Sequence, residues 1–178
     1  MKILMQLLLL EATTPRVILN TILRNIRTES TDELSLLGED IFRYYGLGCR
    51  NVSKIYVPEN YAFDKFFEAI EKYKSVLNHH KYTNNYDYNK SIFLVNSVSH
   101  LDNGFVLLTQ NDSIPSPISV LHYETYQSIE KLNMQLQNQS EEIQCLVSKD
   151  NSLPAAIPPG VAQKPDLWDY ADNVDTIE

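Results

Sequence analysis

Cysteine is scarce. Only Cys49 and Cys145 stand in 178 residues, and they form no CxxC pair. Such sparse use argues against a disulfide scaffold and fits free thiols in a reducing compartment. Glycine is scarce too, with five in the chain, and no GxGxxG or GxxxxGK follows a strand-like run. A phosphate-cradling turn of the dinucleotide or P-loop type is therefore missing. The four histidines, His79, His80, His100 and His122, fall in no metal-ligand spacing, which argues against a zinc site. Basic side chains thin out in the second half: residues 1–90 carry 12 basic and 11 acidic groups, residues 91–178 carry 3 and 12. An acidic half of this kind repels a phosphate backbone and speaks against a nucleic-acid partner. No apolar run is long enough to span a bilayer. The short one from Leu7 to Leu10 follows Gln6, ends at Glu11 and lacks a small-residue cleavage site. A cytoplasmic protein is expected, and a secretory signal is the weaker reading.

What is present suffices for one domain: 43% of the residues are hydrophobic. Residues 1–29 have neither clean alternation nor a helical period, and Pro15 interrupts them, so they read as an atypical start, spurious or truncated. Order begins at Ser30-Thr-Asp-Glu33, which has the spacing of a capping box. Leu34, Leu37, Ile41 and Tyr44 or Tyr45 then share one helical face, and Gly46 suits the position past the helix end, with Gly48 allowing a second unusual turn. Val52 to Val57 is a strand stopped by Pro58. An amphipathic helix follows through Phe63, Phe66, Phe67, Ile70 and Tyr73. Asn78 to Lys90, polar and rich in tyrosine, reads as a connecting loop. Short strands are expected at Ile92–Val95, Phe105–Leu108 (after the turn Asp102-Asn103-Gly104), Ile118–Tyr123 and Glu142–Val147, with a helix over Ser128–Gln139. From Lys149, prolines and acidic residues give an extended tail over 149–178, with Trp168 and Tyr170 as anchors. Alternating strands and helices indicate an α/β layer architecture for 30–148.

The segment Gly46-Leu-Gly-Cys49-Arg50-Asn-Val-Ser53-Lys54-Ile-Tyr-Val-Pro58 resembles the C-terminal portion of the LuxC-type fatty acyl-CoA reductases, a branch of the aldehyde dehydrogenase-like superfamily. The likeness continues through Asn84-Asn-Tyr-Asp-Tyr-Asn89, His100-Leu-Asp-Asn-Gly104, Ser116-Pro-Ile-Ser119, Glu142-Ile-Gln-Cys145 and Trp168-Asp-Tyr-Ala-Asp-Asn-Val-Asp175, covering roughly residues 30–178. The resemblance implies an aldehyde dehydrogenase-like catalytic-domain fragment missing its dinucleotide-binding domain. The family's upstream helpers, an amide at the oxyanion and a general-base carboxylate, have no position to map onto. Where its dehydrogenases hold the nicotinamide ribose with a glutamate before Phe-Gly-Pro, this chain reads Ser113-Ile-Pro-Ser-Pro117.

By that resemblance, Cys49 is the nucleophile that attacks a fatty acyl-CoA or acyl-protein thioester. NADPH is then the hydride donor, and the product aldehyde feeds light production or other metabolism. A homo-oligomer or an acyl-transferring partner protein fits the same reading. Thiolate suits the task as a strong nucleophile and a good leaving group, and the Cys49 N–H is a plausible oxyanion donor. From the residues alone the case is open. A cysteine following a helix C-terminus faces partial negative charge, which Arg50 and Lys54 offset only if they point inward. A lone cysteine beside glycine is more often structural. Cys145 reads as a core residue. A hydrolase dyad of Cys49 with His100 or His122 lacks any local signature, and Glu141-Glu142 read as a solvated face. The competing reading of the whole chain is an inactive fragment or interaction module.

Overall fold

A computed structural model describes residues 19–22, 30–48, 50–149, 153 and 156–164. Its strands are β1 (Leu19–Ile22), β2 (Val52–Pro58), β3 (Leu101–Asp102), β4 (Leu107–Gln110), β5 (Val120–Tyr126), β6 (Cys145–Val147) and β7 (Ala156–Ile157). They form a seven-stranded sheet in the order β3-β4-β5-β2-β1-β6-β7. β3 is antiparallel to β4, and every other pairing is parallel. The helices are α1 (Thr31–Phe42), α2 (Asp64–Ile70, prolonged as a 3-10 helix over Glu71–Asn78), α3 (His80–Val95) and α4 (Ile129–Asn138). The protein is of the α/β class.

Parallel strands need helical crossovers, so both faces of the central strands are covered. On one face Ile55, Val57 and Leu121 pack with Leu34, Leu37 and Ile41 of α1 and Phe66 and Ile70 of α2. On the other, Tyr56 packs with Leu132 and Leu136 of α4 and with Leu153. That second face has a polar interior. Lys54 stands opposite His122, and Tyr56 opposite Glu124, so the two-residue side-chain period gathers all four on the α4 side. Lys54 is 0% exposed. Its ammonium donates to Glu124 Oε2 at 2.6 Å and to the Asp112 carbonyl at 2.7 Å, and lies 5.0 Å from the Tyr56 ring centre. Gln135 of α4 holds the other carboxylate oxygen at 3.1 Å. The charge is buried because a carboxylate, a carbonyl and a ring replace its water.

Several elements follow the sequence. Ser30 and Glu33 form both halves of the capping box, β2 ends at Pro58, Gly104 turns at φ 93° between β3 and β4, and Ser128 caps α4. Three parts differ. From residue 80 on, the expected loop at 78–90 and the expected strand at 92–95 are one helix, α3, with His79 as its N-cap. Its inner face is Tyr82, Tyr86 and Asn89, which bond to the Phe105 carbonyl (2.9 Å), Asp102 Oδ1 (2.6 Å) and the Ile118 carbonyl (3.0 Å). A helix that docks through tyrosine and asparagine shows no hydropathy period. Within the atypical segment 1–29, Leu19–Ile22 supply a strand between β2 and β6. Within the expected tail, Ala156–Ile157 pair with β6 and residues 158–164 fold back as turns, with Gly160, Ala162 and Gln163 buried. Trp168 and Tyr170 lie outside the described residues.

The Lys54–Glu124 pair makes a stability prediction. Lys54→Ala strands the carboxylate and opens a cavity, and is expected to lower unfolding free energy by about 3 kcal/mol. Lys54→Met, which keeps the volume, loses less. Urea midpoints of the two variants check both the size and the order.

Candidate active site

The candidate site lies where α1 hands the chain to β2. α1 ends at Phe42, capped by Arg43, whose Nη1 bonds Glu39 Oε1 at 2.7 Å. Tyr44, Tyr45 and Gly46 then take φ of 57°, 58° and 67° in succession. Glycine accepts this region freely, whereas each tyrosine there costs on the order of 1–3 kcal/mol. Partial compensation comes from the Tyr45 ring, stacked on His79 with centres 4.0 Å apart, and from the Arg43 guanidinium 5.5 Å from the Tyr44 ring centre. The tyrosines expected on the buried helical face are instead 55% and 43% exposed, because the helix stops before reaching them.

Cys49 itself lies outside the described residues. Both its neighbours are described, and the Asn51 N–H donates to the Gly48 carbonyl at 3.2 Å. Gly48 is not in the left-handed region. Its reason for being glycine is proximity: a Cβ there would stand 2.5 Å from Gln163 Oε1. The Gln163 Nε2 donates to the Asp40 carbonyl at 3.3 Å and to the Arg50 carbonyl. One side chain from far along the sequence thus spans the last turn of α1 and the turn that leads into β2.

The segment carrying Gln163 is fixed by a carboxylate. Asp40, 0% exposed, accepts the Gly160 N–H on Oδ2 at 2.6 Å and the Ala162 N–H on Oδ1 at 3.0 Å. Gly160 takes φ 91° over Leu36, which a Cβ would meet at 3.2 Å. Burial pushes the Asp40 carboxyl up to about 6, against the amide donors, which favour the charged form. Neither Asp40 nor Gln163 was singled out by sequence, because neither sits in a motif and their meeting depends on the return of 158–164 to α1. The one available signal was the second glycine before Cys49.

The other expected groups are placed as follows. Lys54 points into the α4 face and is neutralised by Glu124. The Arg50 side chain is half-buried, and its carbonyl receives Gln163. His122 is buried opposite Lys54, its Nδ1 2.9 Å from the Ser113 carbonyl, and burial holds its pKa below the ordinary value. His100 Nδ1 lies 2.7 Å from the Val98 carbonyl. Both imidazoles are engaged by carbonyls. Cys145 is half-buried in β6 and packs against the main core. Among the described residues no cluster of His, Cys, Asp and Glu could hold a metal.

Nor do they fit a dinucleotide. Gly38 is pressed against the Tyr73 ring inside α1, Gly48 against Gln163 and Gly160 against Leu36. Gly104 belongs to the β3–β4 turn, and Gly46 to the left-handed run. None offers a free backbone N–H cradle between a strand and a helix N-terminus. No helix among the described residues is long and apolar enough to cross a membrane.

No family model matches the chain, and no curated protein does. Among solved structures it is similar to the Δ-pyrroline-5-carboxylate dehydrogenase of Mycobacterium tuberculosis bound with NAD, at 13% identity and a TM-score of 0.47, over 82% of this chain and 32% of that one. It is also similar to an NAD-dependent aldehyde dehydrogenase of Burkholderia multivorans, at 15% identity and a TM-score of 0.39, over 77% of this chain and 32% of that one. The chain spans 32% of the length of each.

Asp40 makes a pH prediction. With its carboxyl raised to about 6, the native state keeps a proton that the unfolded chain has lost above about pH 4. Its contribution to stability therefore falls as pH rises from 4 through 6, by about 3 kcal/mol. Asp40→Asn loses one of the two amide bonds at every pH but is free of this slope. The melting-temperature gap between parent and variant is expected to narrow from pH 4 to pH 7.

Proposed function

We propose that the chain is the C-terminal part of a fatty acyl-CoA reductase catalytic domain of the aldehyde dehydrogenase-like superfamily, with Cys49 as its nucleophile. One observation supports this above others. The motif that carries the family resemblance begins where the strained Tyr44–Tyr45 turn ends, between α1 and β2, and a distant side chain, Gln163, packs against Gly48 and bonds the Arg50 carbonyl on either side of Cys49. Strained backbone held by surrounding structure is a feature of reactive turns.

In this reading the Cys49 thiolate attacks the carbonyl carbon of a fatty acyl-CoA or acyl-protein thioester. The new C–S bond forms first, giving a tetrahedral oxyanion; its collapse breaks the C–S bond to the carrier, which leaves as thiolate and takes up a proton from water, and the acyl group stays on Cys49. The oxyanion between these steps is met by backbone N–H of the turn. NADPH would supply the hydride that turns the acyl group into aldehyde. The described residues do not fit that cofactor, so no step through it is assigned to them. The same misfit favours a second reading, a scaffold that binds partners without chemistry.

Incubating the chain with a long-chain acyl-CoA separates the two. A hydroxylamine-labile mass increase on Cys49, lost in Cys49→Ser, is the expected outcome. With NADPH present the adduct is expected to persist, with no aldehyde released. An unmodified Cys49 would sink the enzyme reading and leave the scaffold.

A further inference from the structure

We infer that Gln163, anchored through the Asp40-bound segment 158–164, is a positioning residue for the turn that carries the nucleophile. The inference rests on the reading of Cys49 given above, but its physical basis is separate. The Gln163 amide bridges two carbonyls, that of Asp40 near the end of α1 and that of Arg50 in the turn before β2. Its Oε1 occupies the space a side chain would take at Gly48. Residue 50 is thereby bonded to one planar group and residue 48 lies against it, and the segment carrying that group is held in turn by the Asp40 carboxylate through Gly160 and Ala162. A planar amide that donates both its N–H groups to carbonyls has one orientation, so the distance between α1 and Arg50 in the turn before β2 is set. Burial makes the arrangement stringent. Gln163 is 7% exposed, and a carbonyl that loses its donor there has little water to replace it.

Thioester attack depends on placing sulfur and carbonyl carbon within reaction distance, and a displacement of about 1 Å costs up to 100-fold. Gln163 acts on that distance without touching substrate. Gly48→Ala tests the same contact from the other side, since its new methyl drives the Gln163 amide off Arg50.

The experiment is a mutant cycle of Gln163→Ala, Gly48→Ala and the double variant. Each is mixed with increasing acyl-CoA, and Cys49 acylation is followed by peptide mass spectrometry with Cys145 alkylation as internal control. The maximal acylation rate is expected to fall about tenfold in each single variant and no further in the double. The half-saturating acyl-CoA concentration is expected to stay within about twofold, as for loss of positioning and not of binding. Amide hydrogen exchange supplies a readout that needs no chemistry: Gln163→Ala is expected to speed exchange at 46–51 while β4 and β5 keep parental protection. Unchanged exchange at 46–51 would overturn the inference, as would faster exchange throughout the sheet or strictly additive rate losses. If the parent chain forms no adduct, the nucleophile reading fails while the exchange result still decides the role of Gln163.

Discussion

Two backbone amides bound to one buried carboxylate hold residues 158–164 against α1. Asp40 projects from α1 into a space sealed by residues 158–164 and accepts the N–H of Gly160 and of Ala162. An anion removed from water persists only where oriented dipoles replace the lost hydration. The segment that brings those dipoles must also bring Gln163. Gly160 is constrained twice, since its positive φ strains any other residue and a Cβ would crowd the Leu36 side chain beneath it. The chain leaving β7 can turn over α1 only at such a residue, and from there it reaches Gly48 and Arg50.

The sheet has a different logic on each face. Toward α1 and α2 it is a close-packed apolar layer, with Phe42, Phe63, Phe66 and Phe105 in edge and tilted contacts. Toward α4 it admits a buried lysine, a glutamate, a histidine and a tyrosine whose hydroxyl has no partner among the described residues. A buried ion pair adds little net stability, but leaving one partner alone is costly. It therefore penalises a register slip of β2 against β5, because a shift by one residue would send Lys54 into the apolar layer.

How much of this was legible in the residues depended on where each element hides its polarity. α1, β2, the Gly104 turn and α4 were readable because their caps, breakers and apolar spacing are local. α3 was not, since Tyr82, Tyr86 and Asn89 satisfy the inner face with hydroxyl and amide groups that a hydropathy pattern counts as solvent-facing. β1 was missed for the opposite reason: a strand inside a parallel sheet has no alternation to detect. At the candidate site the cysteine and its glycines stood out, but Asp40 and Gln163 did not. Their pairing spans most of the chain and leaves no spacing behind. Even Gly48 was assigned the wrong cause, a backbone conformation in place of a close approach.

The position of β1 governs how the chain can acquire its structure. Leu19 pairs with Val52 on one side and with Cys145 on the other, so its second partner is synthesised long after its first. Until β6 arrives, one edge of β1 presents unpaired backbone groups, the kind of template on which a second chain can add a strand. Sheets closed by such distant pairings form slowly, and their incomplete states are prone to aggregation. The completion of β6 and β7 and the docking of 158–164 onto α1 follow one another in sequence. Pairing of β1 with β6 and the seating of Gln163 beside Gly48 and Arg50 therefore both depend on residues made after β5, and a chain lacking them exposes the β1 edge and leaves that turn without its Gln163 contact.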